Sequence, residues 1–379
     1  MLQSTRKIEP DTPAIRAATP ADIDALLAVE NASFDGDRLS RRSFQHLLKR
    51  GHQTTLVACD RGGAILGYAT VLFRRGTSLA RLYSFAVAPE ARGHGVARAL
   101  LTTAEDAAEA ESAISLRLEV RKDNARAIHF YEAAGYRVFG AYSAYYDDAA
   151  DALRMEKALA PHRPIDPARF PYIAQSLGFT CGPACLMMAM RALDPEVRAD
   201  RTEELRLWRE STTVYMTRGL GGTSPYGLAL AARRRGFRVS VHVPAPDDLF
   251  VDSVRTAKKK AVVRLVQRDY LDQCSQHGIP VETERLTLDR LEAALAEGAA
   301  PIVLISTYAL DRERTPHWVV VADMDARFVF VHDPYVDPDD LQSQIDRMLL
   351  PIPRDDFERM SRYGRAKQRA ALLIRKAEN

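Results

Sequence analysis

The spacing of apolar residues changes along the chain and divides it into two stretches. In the first, short apolar runs with strand character alternate with segments of helical periodicity, which predicts an α/β layer structure with a mostly continuous sheet. The strand-like runs are TTLVACD (54–60), AILGYATVLF (64–73), ARLYSFAVAP (80–89) and SLRLEV (115–120). The helical segments are ADIDALLAVENASF (21–34), ARALLTTAEDAAEAE (97–111) and NARAIHFYEAAG (124–135).

The second stretch begins after residue 171 and has its helices first. Helices are predicted at 182–194, around 223–235 and around 287–297. The strands that follow, or lie between them, are RVSVHV (238–243), PIVLIST (301–307), HWVVVAD (317–323) and RFVFVHD (327–333). This order favours an α+β fold.

A proline-rich segment separates the two stretches. PHRPIDPARFP (161–171) has four prolines in eleven residues, which is typical of a stiff extended connector. A chain of 379 residues also exceeds the size at which a single hydrophobic core usually stops growing. We therefore predict a domain at 12–160, a linker at 161–171 and a second domain at 172–379.

Composition narrows the class of protein. The 53 basic and 50 acidic residues nearly cancel, so nothing in the charge balance requires nucleic acid or an anionic membrane as a partner. No apolar run approaches 18 residues, and the first residues lack the apolar core of a signal peptide, so we expect a soluble cytoplasmic protein. The four cysteines are too scattered for a disulfide framework or a metal site, and we expect reduced thiols and no bound metal. The oligomeric state stays open.

A glycine-rich turn follows the strand-like run at 80–89. The residues from Arg92 to Ala97, RGHGVA, precede a predicted helix. Glycines leave backbone N–H groups uncovered, and the start of a helix adds a positive partial charge, so a pyrophosphate could lie across this turn. Such turns are common, and alone this one is a weak indication of phosphate binding.

A second motif, LRLEVRKDNARAIHFYEAAGYRVFG (116–140), makes the first domain recognisable. With both motifs, residues 12 to 160 resemble the GNAT acetyltransferases, and most closely the ribosomal-protein alanine N-acetyltransferases. The resemblance implies a mixed central sheet flanked by helices, acetyl-CoA as cofactor, and a peptide or protein amine as acceptor.

The resemblance also implies roles for individual residues. Glu119 would be the general base, and Tyr131 the acid that protonates the departing thiolate; the alternative is a surface strand residue and a half-buried core aromatic. The residues implied to contact the cofactor are Phe85, Ala86 and Val87 for the pantetheine arm, Arg92, Gly93, His94, Gly95, Val96 and Ala97 for the pyrophosphate, and Asn124.

In the second domain, LGFTCGPACLMM (177–188) raises Cys181 above an ordinary buried cysteine. Proline is favoured in the first turn of a helix, so Pro183 predicts that Cys181 lies at a helix N-terminus, where the dipole and free N–H groups stabilise a thiolate. Cys185 falls on the packed face of that helix and is expected to be structural.

Three further residues fit a thiol active site. Gln175 lies six residues before Cys181, an offset at which its amide can share an oxyanion hole with the cysteine N–H. His317 and Asp333 lie at the two ends of a predicted β-hairpin, which would bring the imidazole and the carboxylate together. Strand alternation turns the neighbouring His332 to the opposite face, where we expect a structural role. Cys274 and His277 are expected to form a solvated loop pair.

Residues 168–340 resemble the C39-like peptidases, which have a papain-like fold. The anchors are Gln175, TCGPAC (180–185), HWVVV (317–321) and Asp333 with Pro334. The resemblance implies a Cys-His-Asp thiol peptidase acting on peptides. Leader-processing members have aspartate where this chain has Thr180 and carry transporter segments, so their double-glycine substrate does not follow.

The two domains together predict a bifunctional enzyme, an acetyl-CoA-dependent N-acetyltransferase joined to a cysteine peptidase. One alternative is an acetyltransferase whose second domain is a non-hydrolytic peptide-binding module. Another is an acyl-transfer domain, a cyclase or amide-transferase, since the residues do not separate hydrolysis from transfer at Cys181.

Overall fold

The structure is a computed structural model, which describes residues 13–49, 51–162, 165–215, 221–246, 249–312, 315–337 and 341–377. The chain divides into two units, Met1–His162 and Arg163–Asn379, each built around its own sheet. Residue 12 of the predicted first domain and residues 163 and 164 of the predicted linker lie outside the described residues.

The sheet of the N-terminal unit has seven strands in the order β1-β2-β3-β4-β5-β7-β6. All neighbouring strands are antiparallel except β4 and β5, so the sheet is mixed. The strands are β1 Ala14–Ala17, β2 Gln53–Cys59, β3 Ile65–Phe73, β4 Leu79–Val87, β5 Ser115–Arg121, β6 Arg137–Tyr142 and β7 Ala152–Ala158. The helices are α1 Ile23–Ser33, α2 Arg41–Lys49, α3 Val96–Ala110 and α4 Ala125–Ala133.

The parallel pair β4 and β5 shapes a cleft in this unit. The two strands pair only from Leu79 to Arg81 on β4 and from Ser115 to Arg117 on β5. Beyond these residues both strands continue without pairing to each other, and their later residues line a cleft of ≈ 620 Å³. The interruption of the sheet therefore creates space beside the ends of two central strands.

The C-terminal unit has a second seven-stranded sheet, in the order β13-β12-β11-β10-β14-β8-β9. Its strands are β8 Arg238–His242, β9 Val281–Glu282, β10 Ala300–Ser306, β11 Pro316–Met324, β12 Phe328–His332, β13 Leu350–Pro353 and β14 Ala371–Arg375. Its helices are α5 Cys181–Leu193, α6 Arg201–Ser211, α7 Pro225–Arg234, α8 Ala257–Gln276, α9 Leu288–Ala296, α10 Tyr308–Asp311 and α11 Arg354–Met360.

Helix α5 is buried on all sides from Cys181 to Met190 and packs on β10 and β11. A helix that is apolar all round belongs in a core, which explains why Cys185 and Met188 are both fully buried. The first residue of this helix is therefore held against the start of β11.

The sequence prediction for Cys274 is wrong. Cys274 lies on the buried side of α8, not in a solvated loop, and its thiol donates to the carbonyl of Tyr226. Burial raises the pKa of this thiol to about 12. Of the predicted pair, only His277 is exposed to solvent.

The described residues contain neither a membrane-spanning helix nor a cluster of metal ligands. None of their helices is both long and apolar enough to cross a membrane. No group of three or more histidine, cysteine, aspartate or glutamate side chains among them could hold a metal ion.

Candidate active sites

The glycine-rich turn joins β4 to α3. Gly93 and Gly95 have left-handed backbone angles, with φ of +83° and +80°, and Gly95 is the residue that precedes the first turn of α3. A Cβ atom at either position would meet no atom within 4 Å, so the space beside the turn is open. Arg92 Nε donates to the Val87 carbonyl at 3.1 Å and fixes the turn to the end of β4. Val96 and Ala97 begin the helix.

The predicted pantetheine-binding residues occupy the end of β4. Phe85 and Ala86 pair with β3 on one side, while the pairing of β4 with β5 has already ended on the other. That second edge is free of sheet partners within the described residues, so it can receive an extended ligand. Asn124 precedes α4, and its Oδ1 accepts from the backbone N–H of Ala127 at 3.1 Å, so this residue also caps a helix.

Four of the predicted residues line one cleft: Phe85, Glu119, Asn124 and Tyr131. The glycine-rich turn is not part of its lining. Tyr131 is buried and packs against three aromatic rings, and this burial raises the pKa of its hydroxyl.

Glu119 is held by an arginine that the sequence did not single out. Its side chain is 5% exposed, as is that of Arg81. Arg81 Nε lies 2.9 Å from Oε2 and Arg81 Nη2 lies 3.0 Å from Oε1, while the hydroxyl of Tyr145 donates to Oε1 at 3.2 Å. Glu119 is therefore not a solvated surface residue, and three donors hold its carboxylate in one orientation.

Cys181 is the first residue of α5 and lies in a closely packed corner. A Cβ atom at the next residue, Gly182, would lie 2.0 Å from Thr223 Oγ1 and 3.1 Å from Trp318 Cδ1. Only glycine fits there, and its lack of a side chain lets the start of α5 approach β11. The distance between Cys181 and the strand that carries His317 depends on that fit.

His317 and Asp333 meet as the hairpin predicts. Strands β11 and β12 are antiparallel neighbours, and His317 Nε2 lies 2.7 Å from Asp333 Oδ1. Burial alone would lower the pKa of His317, but the charges of Asp333 and of the Cys181 thiolate outweigh it and raise this pKa to about 10.

The thiol of Cys181 responds to the same charges. Burial alone would raise its pKa, but the His317 imidazolium, with the backbone N–H groups of Trp318 and Gly182, brings the pKa below that of an ordinary cysteine. Burial, with the negative charge at Cys181, raises the pKa of Cys185 well above its usual range. The two cysteines therefore differ in reactivity although they are four residues apart.

Gln175 is tied to the segment after Asp333 through its backbone, and its side chain bonds within its own loop. Its backbone N–H donates to the Pro334 carbonyl at 2.8 Å, which ties its loop to the residue after Asp333. Its side-chain Nε2 donates to the Leu177 carbonyl at 2.7 Å, and its Oε1 is buried without a hydrogen-bond partner. The second N–H of this amide is not used in that bond, and its oxyanion role stays a prediction.

Sequence reasoning missed the carboxylate that orders this loop. Glu204 on α6 accepts hydrogen bonds from the Thr180 hydroxyl and from the Ser176 N–H, the latter at 2.8 Å. Helix α6 therefore places a buried carboxylate beside Thr180, the residue before Cys181. The sequence gives no signal for this contact, because the two residues lie on different elements.

His332 lies on the opposite face, as alternation along β12 predicts. It is fully buried, and its Nε2 lies 3.0 Å from the Phe170 carbonyl while its Nδ1 accepts from the Leu349 N–H at 3.1 Å. Both ring nitrogens are used in structural contacts.

Family models match both units. The model of the Peptidase_C39 like family matches residues 170–375, and the model of the acetyltransferase (GNAT) family matches residues 22–136. The predictions of a GNAT fold and of a second, C39-like domain with mixed sheets and helices are confirmed.

Three curated relatives are similar to part of the chain. An uncharacterized protein of Mycobacterium leprae (strain TN) is 33% identical over 147 residues, 38% of this chain and 40% of that protein. Streptothricin acetyltransferase of Streptomyces lavendulae is 36% identical over 96 residues, 25% of this chain and 51% of the enzyme. A putative ribosomal protein bS18-alanine N-acetyltransferase of Bacillus subtilis (strain 168) is 29% identical over 143 residues, 38% of this chain and 93% of that protein. The chain thus spans about half the length, or less, of the first two.

Among solved structures, the ribosomal-protein-S18-alanine N-acetyltransferase of Escherichia coli is 25% identical. The match covers 40% of this chain and 96% of that one, with a TM-score of 0.36.

Proposed function

Because the chain belongs to the Peptidase_C39 like family and joins to that domain a GNAT N-acetyltransferase domain, we propose that it is a bifunctional enzyme acting on peptides or protein termini. One activity is acetyl transfer to an amine, and the other is cleavage of a peptide bond by a Cys-His-Asp site. The observation that carries the second activity is the 2.7 Å contact between His317 and Asp333 together with the lowered pKa of Cys181.

The proposed domain limits are 12–160 and 172–379, with the linker at 161–171. We place the enzyme in the cytoplasm, where thiols stay reduced, and the four cysteines are all free and buried.

The residues of the N-terminal unit fit acetyl-CoA. The open turn from Arg92 to Ala97 would hold the pyrophosphate on backbone N–H groups at the start of α3, and the free edge of β4 would hold the pantetheine arm. When bound, the cofactor supplies an acetyl group activated as a thioester. Glu119 would accept a proton from the acceptor nitrogen, and Tyr131 would give its hydroxyl proton to the departing thiolate.

The charge of the cleft supports an ammonium group as the acceptor. Asp35, Asp37, Asp147 and Asp148 line the cleft, while Arg121 is the only basic residue among its described lining. Arg121 pairs with Asp148 at 2.9 Å, and no described cation pairs with the other three. Unneutralised carboxylates attract a cationic amine, as a peptide N-terminus or a lysine side chain carries at neutral pH. This supports a peptide or protein amine as substrate.

The C-terminal site would cleave a peptide bond through an acyl-enzyme. The Cys181 thiolate attacks the carbonyl carbon, and the N–H of Cys181 with the side-chain amide of Gln175 stabilises the oxyanion. His317 Nδ1 then gives its proton to the departing amine, since Nε2 is engaged by Asp333. His317 next takes a proton from water, whose oxygen attacks the thioester and releases a carboxylate and the thiol.

Peptide mass spectrometry tests the two activities separately. A peptide library from the proteome is incubated with acetyl-CoA and with wild type, Glu119→Gln or Cys181→Ala. We expect acetylated products that disappear with Glu119→Gln and shortened peptides that disappear with Cys181→Ala. New amide bonds in place of free carboxylates would show that the Cys181 site transfers acyl groups and does not hydrolyse peptides. Intact peptides that co-purify with the protein would indicate that the C-terminal domain is a binding module.

A further inference from the structure

Three polar side chains beside the cleft of the N-terminal unit form a hydrogen-bonded chain, and two of them are buried. Glu30, in the last turns of α1, is 1% exposed, and its Oε2 accepts a hydrogen bond from the hydroxyl of Tyr68 on β3. The Tyr68 hydroxyl lies 2.7 Å from the Ser84 Oγ on β4. Since Tyr68 donates to Glu30, its oxygen is free to accept from Ser84, so all three groups form one directed chain.

The two ends of this hydrogen-bonded chain, Glu30 and Ser84, line the cleft together with Glu119. The register of β3 and β4 shifts between Ser84 and Leu82, which leaves Tyr83 as an extra, bulged residue. A bulge changes the direction in which the following side chains point, and bulges are frequent next to active sites. Ser84 is partly exposed, while Tyr68 is fully buried behind it.

The burial of Glu30 favours proton uptake by its carboxylate. Burial raises the pKa of its carboxyl, and the Leu39 N–H at 2.7 Å, the Tyr68 hydroxyl and the Arg38 guanidinium only partly oppose this shift. Burial and the Glu30 charge raise the pKa of Tyr68, with a smaller contribution from Tyr83, so the phenol stays protonated and can pass a proton on without ionising. A carboxylate with a raised pKa is a better proton acceptor near neutral pH.

Acetylation of an ammonium group removes two protons from its nitrogen. One must leave before the nitrogen can attack, and the second must leave once the N–C bond has formed. Glu119 can take one of these, but three donors already hold its carboxylate oxygens. A second proton acceptor in the cleft would let the first proton leave without occupying Glu119.

We infer that Ser84, Tyr68 and Glu30 form a relay that takes the first proton from the acceptor ammonium; the inference rests on the proposed acetylation of an amine in this cleft. Ser84 Oγ accepts the ammonium proton as its own hydroxyl proton moves to Tyr68, and the phenolic proton of Tyr68 moves to Glu30 Oε2. One N–H bond breaks, one O–H bond forms at Glu30, and no electrons are transferred. Glu119 then takes the second proton and returns it to Tyr131, which has given its own to the departing thiolate, while Glu30 releases its proton to solvent from the cleft that it lines.

Two acceptors and two variants test the relay. Ser84→Ala and Tyr68→Phe interrupt the chain, and Thr70→Val is the matched control. Thr70 lies opposite Ser84 across the β3–β4 pair, is fully buried, and bonds through its hydroxyl to Thr55 at 3.1 Å. One acceptor is a peptide with an ordinary ammonium terminus, and the other is a hydrazide-terminated peptide, whose nitrogen is already neutral at neutral pH.

With the ammonium acceptor, we expect kcat/KM of both relay variants to fall about 10²-fold at neutral pH and to recover as alkaline pH deprotonates the amine. The acidic limb of the pH profile should therefore move to higher pH, whereas the hydrazide should be acetylated at nearly the wild-type rate. Equal losses with both acceptors, or an unchanged pH profile in Ser84→Ala, which leaves Tyr68 and Glu30 bonded, would overturn the relay. A wild-type protein that acetylates neither acceptor would instead overturn the acetyl transfer on which it rests.

Discussion

Nε2 of His317 lies 2.7 Å from Oδ1 of Asp333, so the nitrogen left for the Cys181 thiol is Nδ1. The carboxylate thereby sets the orientation of the ring and, in the proposed mechanism, the atom that moves the proton. Asp333 is in turn held from its other oxygen by the buried Arg347, which also donates through Nε to Gln342 Oε1 at 2.9 Å.

The first prediction concerns thiol reactivity. Because the His317 imidazolium lowers the pKa of Cys181, its thiolate persists as the pH falls below the pKa of an ordinary cysteine, and iodoacetamide at mildly acidic pH should label it before Cys59, Cys185 and Cys274. His317→Ala removes the imidazolium, so labelling should slow in acid and recover at alkaline pH. Peptide mapping by mass spectrometry measures the extent of labelling at each cysteine. Equal labelling of Cys181 in wild type and His317→Ala would refute the ion pair.

The second prediction concerns the buried pair of Arg347 and Asp333. Their side chains are 3% and 2% exposed, so Arg347→Met leaves a buried carboxylate without its guanidinium partner and should lower the free energy of unfolding by about 3 kcal/mol. Urea unfolding measures the change. Arg198→Met is the control, because Arg198 pairs with Asp200 on the surface and should matter far less. Equal effects of the two changes would contradict the argument.

The third prediction tests the packing at the start of α5. Gly182→Ala should destabilise the domain by about 1–3 kcal/mol, because its Cβ would collide with Thr223 Oγ1. Thr223→Ala removes that atom, so the double variant should recover part of the loss in a thermal unfolding cycle. Gly178→Ala, with no atom within 4 Å of the new Cβ, should be tolerated. If the effects of Gly182→Ala and Thr223→Ala simply add, the destabilisation does not come from a collision with Thr223.

The fourth prediction concerns cofactor binding. Gly95→Val forces a β-branched residue into a left-handed conformation and fills the open space beside the turn, so acetyl-CoA should no longer bind in calorimetry. Gly63→Val is the control. Gly63 has φ of +82° and lies between β2 and β3, so valine there would cause the same backbone strain at a distance from the glycine-rich turn. Equal loss of acetyl-CoA affinity in both variants would show that backbone strain, and not filling of the turn, causes the loss.

The fifth prediction separates proton transfer from binding. Glu119→Gln and Tyr131→Phe should each lower the turnover of acetylation by about 10²- to 10⁴-fold while acetyl-CoA affinity stays close to wild type. Steady-state kinetics and calorimetry on the same preparations measure both quantities. Full turnover in both variants would assign the proton transfers to other residues.

Local patterns were enough to predict the parts of each site that lie close in sequence. The glycine spacing predicted the turn before α3, and the length of the β11–β12 hairpin predicted that His317 and Asp333 meet. Pro183 placed Cys181 at the start of a helix, and alternation along β12 separated His332 from Asp333.

Contacts between distant elements could not be predicted in this way. The pairing of Arg81 with Glu119 depends on β4 and β5 being parallel neighbours, and the contact of Glu204 with Thr180 depends on how α6 packs. The error at Cys274 has a different cause. Helix α8 is largely exposed and buries only Val263, Gln267 and Cys274, so its apolar stripe is too thin to predict a helix.

The register shift in the hairpin restricts how this domain can change in length. Between His317 and Asp333, the pairing of β11 with β12 is interrupted once, between Val321 and Asp323. An insertion in the turn after Met324 leaves the alternation of both strands intact. An insertion of one residue within β12 would turn the side chains that follow it to the opposite face of the sheet, and so exchange the places of His332 and Asp333. The candidate site therefore tolerates length variation at the turn, whereas a single residue added within a strand must be absorbed by a bulge, as Ala322 is between Val321 and Asp323.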